Sequence, residues 1–121
     1  MRPSVLASLT AVLLWTAAAC ADDAGSLNAL QQRGRMVFDH WCYACHKPLH
    51  AGDRPVAGTS SLQRRYEGSE PAALEQRTDL SPAYIKHIVR TGDKSMPPSR
   101  KTEISDADLD ALAAYLTHNN R

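Results

Sequence analysis

The stretch HWCYACHKP, residues 40–48, decides how this chain is organised. Cys42 and Cys45 are three positions apart, and His46 directly follows the second cysteine. This spacing occurs in metal-binding clips, in redox-active dithiols and at sites of covalent cofactor attachment. The sequence outside this motif is therefore needed to choose among these three kinds of site.

A metal clip and a redox dithiol both lack the sequence context that they need. A structural zinc site has four ligands, which usually come from two separated pairs. No second pair follows CYACH. A thioredoxin-like dithiol occurs in a fold of alternating strands and helices, and this sequence shows no strand pattern. The remaining histidines are scattered without ligand spacing: His40, His50, His87 and His118.

Covalent cofactor attachment accounts for all three residues of the motif. In c-type cytochromes, two thiols add to the vinyl groups of haem as thioethers, and the histidine after the second cysteine binds the iron. The spacing of Cys42 and Cys45 allows both sulfurs to reach one edge of the porphyrin. We therefore predict one covalent haem c, with His46 as an axial ligand of its iron.

A second axial ligand has to come from another part of the chain. Of the three methionines, Met1 is N-terminal, and Met36 falls in a predicted helix, where core packing is expected. Met96 lies in the loop SMPPSRKTE, 50 residues after His46, and two prolines that follow it stiffen the backbone. Met96 is the predicted second ligand, and a surface loop methionine is the alternative.

The first 21 residues have the pattern of a secretory signal peptide. Arg2 precedes an apolar run, Val5–Trp15, that is too short for a permanent membrane anchor and is followed by alanines. We expect residues 1–21 to be removed and residues 22–121 to form one periplasmic domain without a membrane span.

Cys20 falls at the expected cleavage site, in TAAACAD. An odd cysteine in an exported protein needs an explanation. We expect Cys20 to be removed with the signal peptide or to remain as a terminal residue without a role. A lipid anchor at Cys20 is the alternative, although Ala17 stands where lipoprotein signals usually have leucine.

The charge balance argues against one class of partner and suggests another. The chain has 14 Lys and Arg against 13 Asp and Glu, without the basic excess that nucleic-acid binding normally requires. Five basic residues nevertheless flank the two predicted ligand loops, which suggests a positive rim for short-lived electrostatic docking. They are Lys47, Arg54, Lys94, Arg100 and Lys101.

Helical periodicity accounts for most of the remaining sequence. Apolar residues recur at helical spacing over 27–41, which predicts a helix that leads into CYACH. Ser81, Pro82 and Gly92 are typical start and stop signals of a second helix. A third helix is predicted to begin at Ser105.

The segment between CYACH and the second helix is less regular. We predict a loop over 47–61, because glycine, proline and polar residues occur there without a period. Short helical turns are expected within 62–79. The predicted fold class is therefore all-α.

Together these motifs resemble a small monohaem class I cytochrome c, which implies three main helices around one covalently attached haem. CYACH at 42–46 and SMP at 95–97 match the ligand motifs of that family. Gly34, with Phe38 four residues on, and LAAYL at 112–116 match its crossing first and last helices. The resemblance also implies that the carbonyl of Pro55, in DRPVAG, accepts a hydrogen bond from His46, which would fix the orientation of the ring.

A narrower similarity runs through LSPAYIKHIVRTGDKSMP, residues 80–97. This stretch is similar to the cytochrome subunits of flavoprotein dehydrogenases of 4-alkylphenols, the p-cresol methylhydroxylase type. The similarity implies an electron carrier with a flavoprotein donor, although residues 59–79 are longer than the corresponding connection in those subunits. The alternative function is a haem enzyme or gas sensor, peroxidase-like, which requires that Met96 does not bind the iron.

Overall fold

The computed structural model describes residues 26–120, and the predicted signal peptide with Cys20 lies outside these residues. Within this range the chain is helical, and its only extended pairing is an isolated bridge between Asp93 and Met96. The all-α prediction is confirmed. The elements are α1 (Ala29–Trp41), α2 (Tyr43–His46), α3 (Ala57–Tyr66), a single 3-10 turn (Leu74–Gln76), α4 (Pro82–Thr91) and α5 (Asp106–Leu116).

Helix α1 packs across helix α5, and this crossing is the centre of the fold. The helix begins at a capping box in which Asn28 and Gln31 bond to each other's backbone N–H groups. Its buried face consists of Gly34, Val37 and Phe38. A Cβ atom at position 34 would meet the backbone of Ala111, which confirms that a small residue is needed where the last helix crosses.

Helices α4 and α5 begin at the residues that the sequence signals predicted. Ser81 accepts a hydrogen bond from the backbone N–H of Tyr84, and Ser105 accepts one from that of Asp108. Helix α4 ends at Gly92, whose φ of 73° favours glycine. The apolar faces of these helices complete the core around Phe38 and include Ile85, Val89, Leu109, Leu112 and Leu116.

Two predictions of local structure are wrong. The predicted loop over 47–61 contains the first turns of α3, which has no side-chain cap and is anchored by the buried Thr59, whose hydroxyl donates to the Lys47 carbonyl at 2.7 Å. Met36 does not fill the core, since it is 66% exposed. It lies two positions from Gly34, about 200° around the helix, and therefore faces away from α5.

Among residues 26–120, no helix combines the length and apolar character needed to cross a membrane.

Candidate functional site

The CYACH segment continues helix α1 through a single junction residue into α2. The N–H of Cys42 donates to the carbonyl of Phe38 at 2.8 Å, and the N–H of His46 donates to the carbonyl of Cys42 at 2.9 Å. In helical geometry, residues three and four apart share one face. Cys42, Cys45 and His46 therefore lie together, and all three line one large cavity.

The cavity lies between the helices and encloses about 1260 Å³, including the part that is open to solvent. Its walls are mostly apolar and come from α2, α3, α4, α5 and the connecting loops. The apolar lining includes Leu62, Leu74, Leu80, Ile85, Ile88, Val89, Leu112 and Leu116.

The imidazole of His46 is held against the backbone of α3. A Cβ atom on Gly58 would lie 2.6 Å from Cε1 and 2.7 Å from Nδ1 of His46, so only glycine fits beside this edge of the ring. Burial lowers the pKa of His46, which favours the neutral form of its ring. A neutral imidazole is the form that binds a metal ion.

The hydrogen bond expected between His46 and Pro55 is not formed. Nδ1 of His46 is buried and has no hydrogen-bond partner among the described residues, and Pro55 is exposed. The first turn of α3 brings Gly58, rather than the carbonyl of Pro55, against this edge of the ring. The role of Pro55 beside a bound cofactor stays a prediction, and Gly58 is the neighbour that the sequence did not reveal.

The two cysteines of the motif have different surroundings. Cys42 is half-buried and packs against the core, whereas Cys45 is exposed. Burial, together with the nearby Cys45, raises the pKa of the Cys42 thiol to about 11. Within residues 26–120, no group of three or more His, Cys, Asp or Glu side chains is arranged to hold a metal ion.

Met96 reaches the same cavity from the loop after α4. Its backbone exchanges two hydrogen bonds with Asp93, at 2.9 and 3.1 Å, which close a tight turn directly after Gly92. A Cβ atom on Gly92 would lie 2.5 Å from the Met96 carbonyl oxygen. The fold thus brings His46 and Met96 to one cavity, although they are far apart in the sequence.

The stretch 59–79, which had no assigned role, forms part of the cavity wall. Its most unusual member is Arg77, which is only 4% exposed. Its Nε and Nη2 atoms each lie 2.5 Å from an oxygen of Asp79, and its guanidinium carbon lies 4.5 Å from the ring centroid of Tyr66. The hydrogen bonds to Asp79 raise the pKa of Arg77, which stays charged. No periodic pattern marks such a residue, because its burial depends on contacts that only the fold creates.

Comparison with known proteins identifies the class to which this fold and site belong. The family model described as cytochrome c oxidase, cbb3-type, subunit III matches residues 29–116. The chain therefore belongs to this cytochrome c family, a family of electron carriers, and the predicted resemblance is confirmed. Haem c is the cofactor that membership of this family implies.

One particular relative is the cytochrome c subunit of 4-cresol dehydrogenase (hydroxylating) from Pseudomonas putida. It is 34% identical to this chain over 84 residues, which cover 69% of this chain and 58% of that subunit. The chain thus matches less than two thirds of the length of this relative.

Proposed function

We propose that this protein carries single electrons on one haem c, attached through thioether bonds to Cys42 and Cys45. His46 and Met96 would hold its iron. One observation carries this proposal: all four side chains line a single, mostly apolar cavity, although Met96 comes from a separate loop. The match of residues 29–116 to a cytochrome c family gives independent support.

The residues present fit this cofactor. The apolar walls suit a porphyrin, the lowered pKa of His46 leaves a nitrogen lone pair available for iron, and a methionine thioether is a common second ligand in cytochromes c. Bound haem supplies exchange of one electron between ferric and ferrous iron, and both the thioether ligand and an apolar surrounding raise its reduction potential. Two protein ligands also leave no position on the iron for oxygen, peroxide or a substrate.

Arg77 supplies positive charge at the wall of the cavity. A guanidinium group has five N–H donors. Asp79 accepts one hydrogen bond from Nε and one from Nη2 of Arg77. Donors therefore remain for another anion, and haem has two propionate carboxylates. We assign Arg77 the role of receiving one of these carboxylates, which would offset its unfavourable burial.

The proposed donor is a flavoprotein dehydrogenase that oxidises 4-alkylphenols. The 34% identity to a 4-cresol dehydrogenase subunit supports this donor class. A reduced flavin holds two electrons and would release them one at a time to the cytochrome. We place the exchange in the periplasm, because residues 1–21 have the pattern of an export signal.

The positive rim expected around the site is smaller than the sequence suggested. Arg100 is ion-paired with Glu103 at 2.9 Å, and Lys101 is ion-paired with Asp106 at 2.6 Å. These pairs reduce the net charge that a partner would meet. The docking charge in this proposal therefore rests on the other three cations, Lys47, Arg54 and Lys94.

The deciding experiment tests both attachment and ligation. Protein exported in a host with haem-maturation machinery should keep its haem through acid–acetone extraction and denaturing electrophoresis. Ferric protein should show the weak far-red band of methionine-bound haem, and ferrous protein should resist carbon monoxide. Met96→Ala should lose the band and bind carbon monoxide.

Met36→Ala is the matched control, because this second methionine is exposed and lies outside the cavity lining. It should leave both spectra unchanged. If wild-type protein binds carbon monoxide readily and Met96→Ala changes nothing, the enzyme or gas-sensor alternative replaces the electron carrier. Haem that is lost on extraction would refute covalent attachment.

A further inference from the structure

The loop that carries Met96 is tied to a helix on another side of the cavity by one ion pair. Nη1 of Arg65, in helix α3, lies 3.0 Å from Oδ2 of Asp93. The two residues are 28 positions apart, and both line the cavity beside Met96. This ion pair is a direct side-chain connection between α3 and the methionine loop.

The backbone of Asp93 connects this ion pair to Met96. The N–H of each residue donates to the carbonyl of the other, so a displacement of Asp93 displaces the backbone of Met96 as well. Gly92, with its φ of 73°, fixes the start of the turn, and Ser99 donates to the carbonyl of Val89 at 2.8 Å beyond its end. The turn is therefore held at both ends by α4 and from the side by Arg65.

We propose that Arg65 is a positioning residue for Met96. Through Asp93 it holds the turn against α3 and so keeps the methionine sulfur at the cavity in both redox states. This inference rests on the proposed function, in which Met96 is an axial ligand. The side chains of Arg65 and Asp93 are 48% and 40% exposed, so the effect should be modest and should weaken as salt screens the pair.

The test is a titration of ferric holoprotein with imidazole, which displaces Met96 from the haem iron. The far-red band of methionine-bound haem measures how much Met96 remains bound. Arg65→Gln should lower the imidazole concentration at half-displacement by roughly 1.5- to 5-fold, the range expected for an exposed ion pair. Arg65→Lys, which keeps the charge, should recover most of the wild-type value. Asp93→Asn should match Arg65→Gln, and the double variant should add little, because both changes remove the same contact.

Arg64→Gln is the matched control. Arg64 is the preceding residue of α3, is exposed, and donates to Ser61 within its own helix, at 3.3 Å. In the Arg64→Gln variant, the imidazole concentration at half-displacement of Met96 should equal that of wild type. In about 1 M salt, where the Debye length is about 3 Å, the wild-type value should approach that of Arg65→Gln.

The same measurements can refute the role of Arg65 and the proposed function separately. Equal displacement in wild type, Arg64→Gln and Arg65→Gln, with the far-red band present and lost in Met96→Ala, would refute the role of Arg65 and leave methionine ligation intact. Equal losses in Arg64→Gln and Arg65→Gln, with equal drops in thermal unfolding midpoint, would also refute it in favour of general destabilisation. Absence of the band from wild-type protein would instead refute the proposed function.

Discussion

A Cβ atom on residue 34 would lie only 2.0 Å from the carbonyl oxygen of Ala111. Helices α1 and α5 therefore touch backbone to backbone at Gly34, and Tyr115 closes the contact on one side, with its Cβ 2.7 Å from the same position. Helix α1 leads directly into the CYACH segment, and α5 supplies Leu112 and Leu116 to the cavity wall. The closeness of this crossing thus sets the position of the cysteines relative to the far wall of the site.

We expect Gly34→Ala to destabilise the holoprotein, because the added methyl group has no space and the helices must separate. Overpacking of this kind typically costs about 1–3 kcal/mol of unfolding free energy. Chemical denaturation followed by circular dichroism would measure the change. Met36→Ala, on the exposed face of the same helix, should stay within about 0.5 kcal/mol of wild type. Equal stabilities of Gly34→Ala and wild type would show that the crossing relaxes without cost.

The roles of the CYACH residues differ and should separate by substitution. Cys42→Ala and Cys45→Ala should each leave one thioether and weaken haem attachment, so that more haem is lost on acid–acetone extraction. His46→Ala should largely prevent formation of the haem protein, because the iron loses its ligand from the motif. Haem staining of denaturing gels, normalised to total protein, measures these yields. A His46→Ala variant with normal haem content and an unchanged spectrum would contradict the assignment.

Arg77→Gln should lower both the stability and the reduction potential of the haem protein. The substitution removes a nearly buried cation that contacts Asp79 and Tyr66, and loss of such a partner costs about 1–3 kcal/mol. The lost positive charge also removes a term that favours ferrous over ferric iron. Denaturation and a redox titration give the two readouts, with Arg64→Gln as the exposed control on α3. A potential that is unchanged in Arg77→Gln would contradict contact between Arg77 and a haem carboxylate.

Asp108 should make stability depend on acid pH. Hydrogen bonding from Ser105 and from Arg33 lowers the pKa of this carboxyl in the folded protein. A group with a depressed folded pKa stabilises fully above its unfolded pKa of about 3.9, and this contribution is lost as the pH falls through the folded value. Asp108→Asn should therefore lower the thermal midpoint at neutral pH, and its difference from wild type should shrink as the pH falls below about 3.9. A constant difference across this range would exclude the ionised carboxyl as the cause.

The N-terminus of the exported protein should be found near Ala21 or Asp22, if residues 1–21 act as a cleaved signal. Intact mass spectrometry of protein from a periplasmic extract provides the measurement. A chain that begins with an acylated Cys20 and partitions with membranes would replace the proposed periplasmic location by a lipid-anchored one.

The sequence by itself determined the elements whose signals are local. CYACH predicts a covalent haem site from local sequence, because the spacing of two thiols and the adjacent imidazole is set by the chain itself. Helices α4 and α5 were predictable for the same reason, since Ser81 and Ser105 each cap a backbone N–H only three residues away. Even the close helix crossing at Gly34 could be anticipated from the family pattern.

Only the tertiary structure decided which distant residues meet. Helix α3 has no side-chain cap at its start and no strong periodicity, so its position depends on packing of Gly58 against His46 and of Thr59 against the Lys47 carbonyl. The burial of Arg77 and the ion pair between Arg65 and Asp93 likewise join parts of the chain that carry no local signal for each other. Such contacts form because several helices pack around one cavity. The hydrophobic pattern of the sequence does not specify which helix faces become neighbours there.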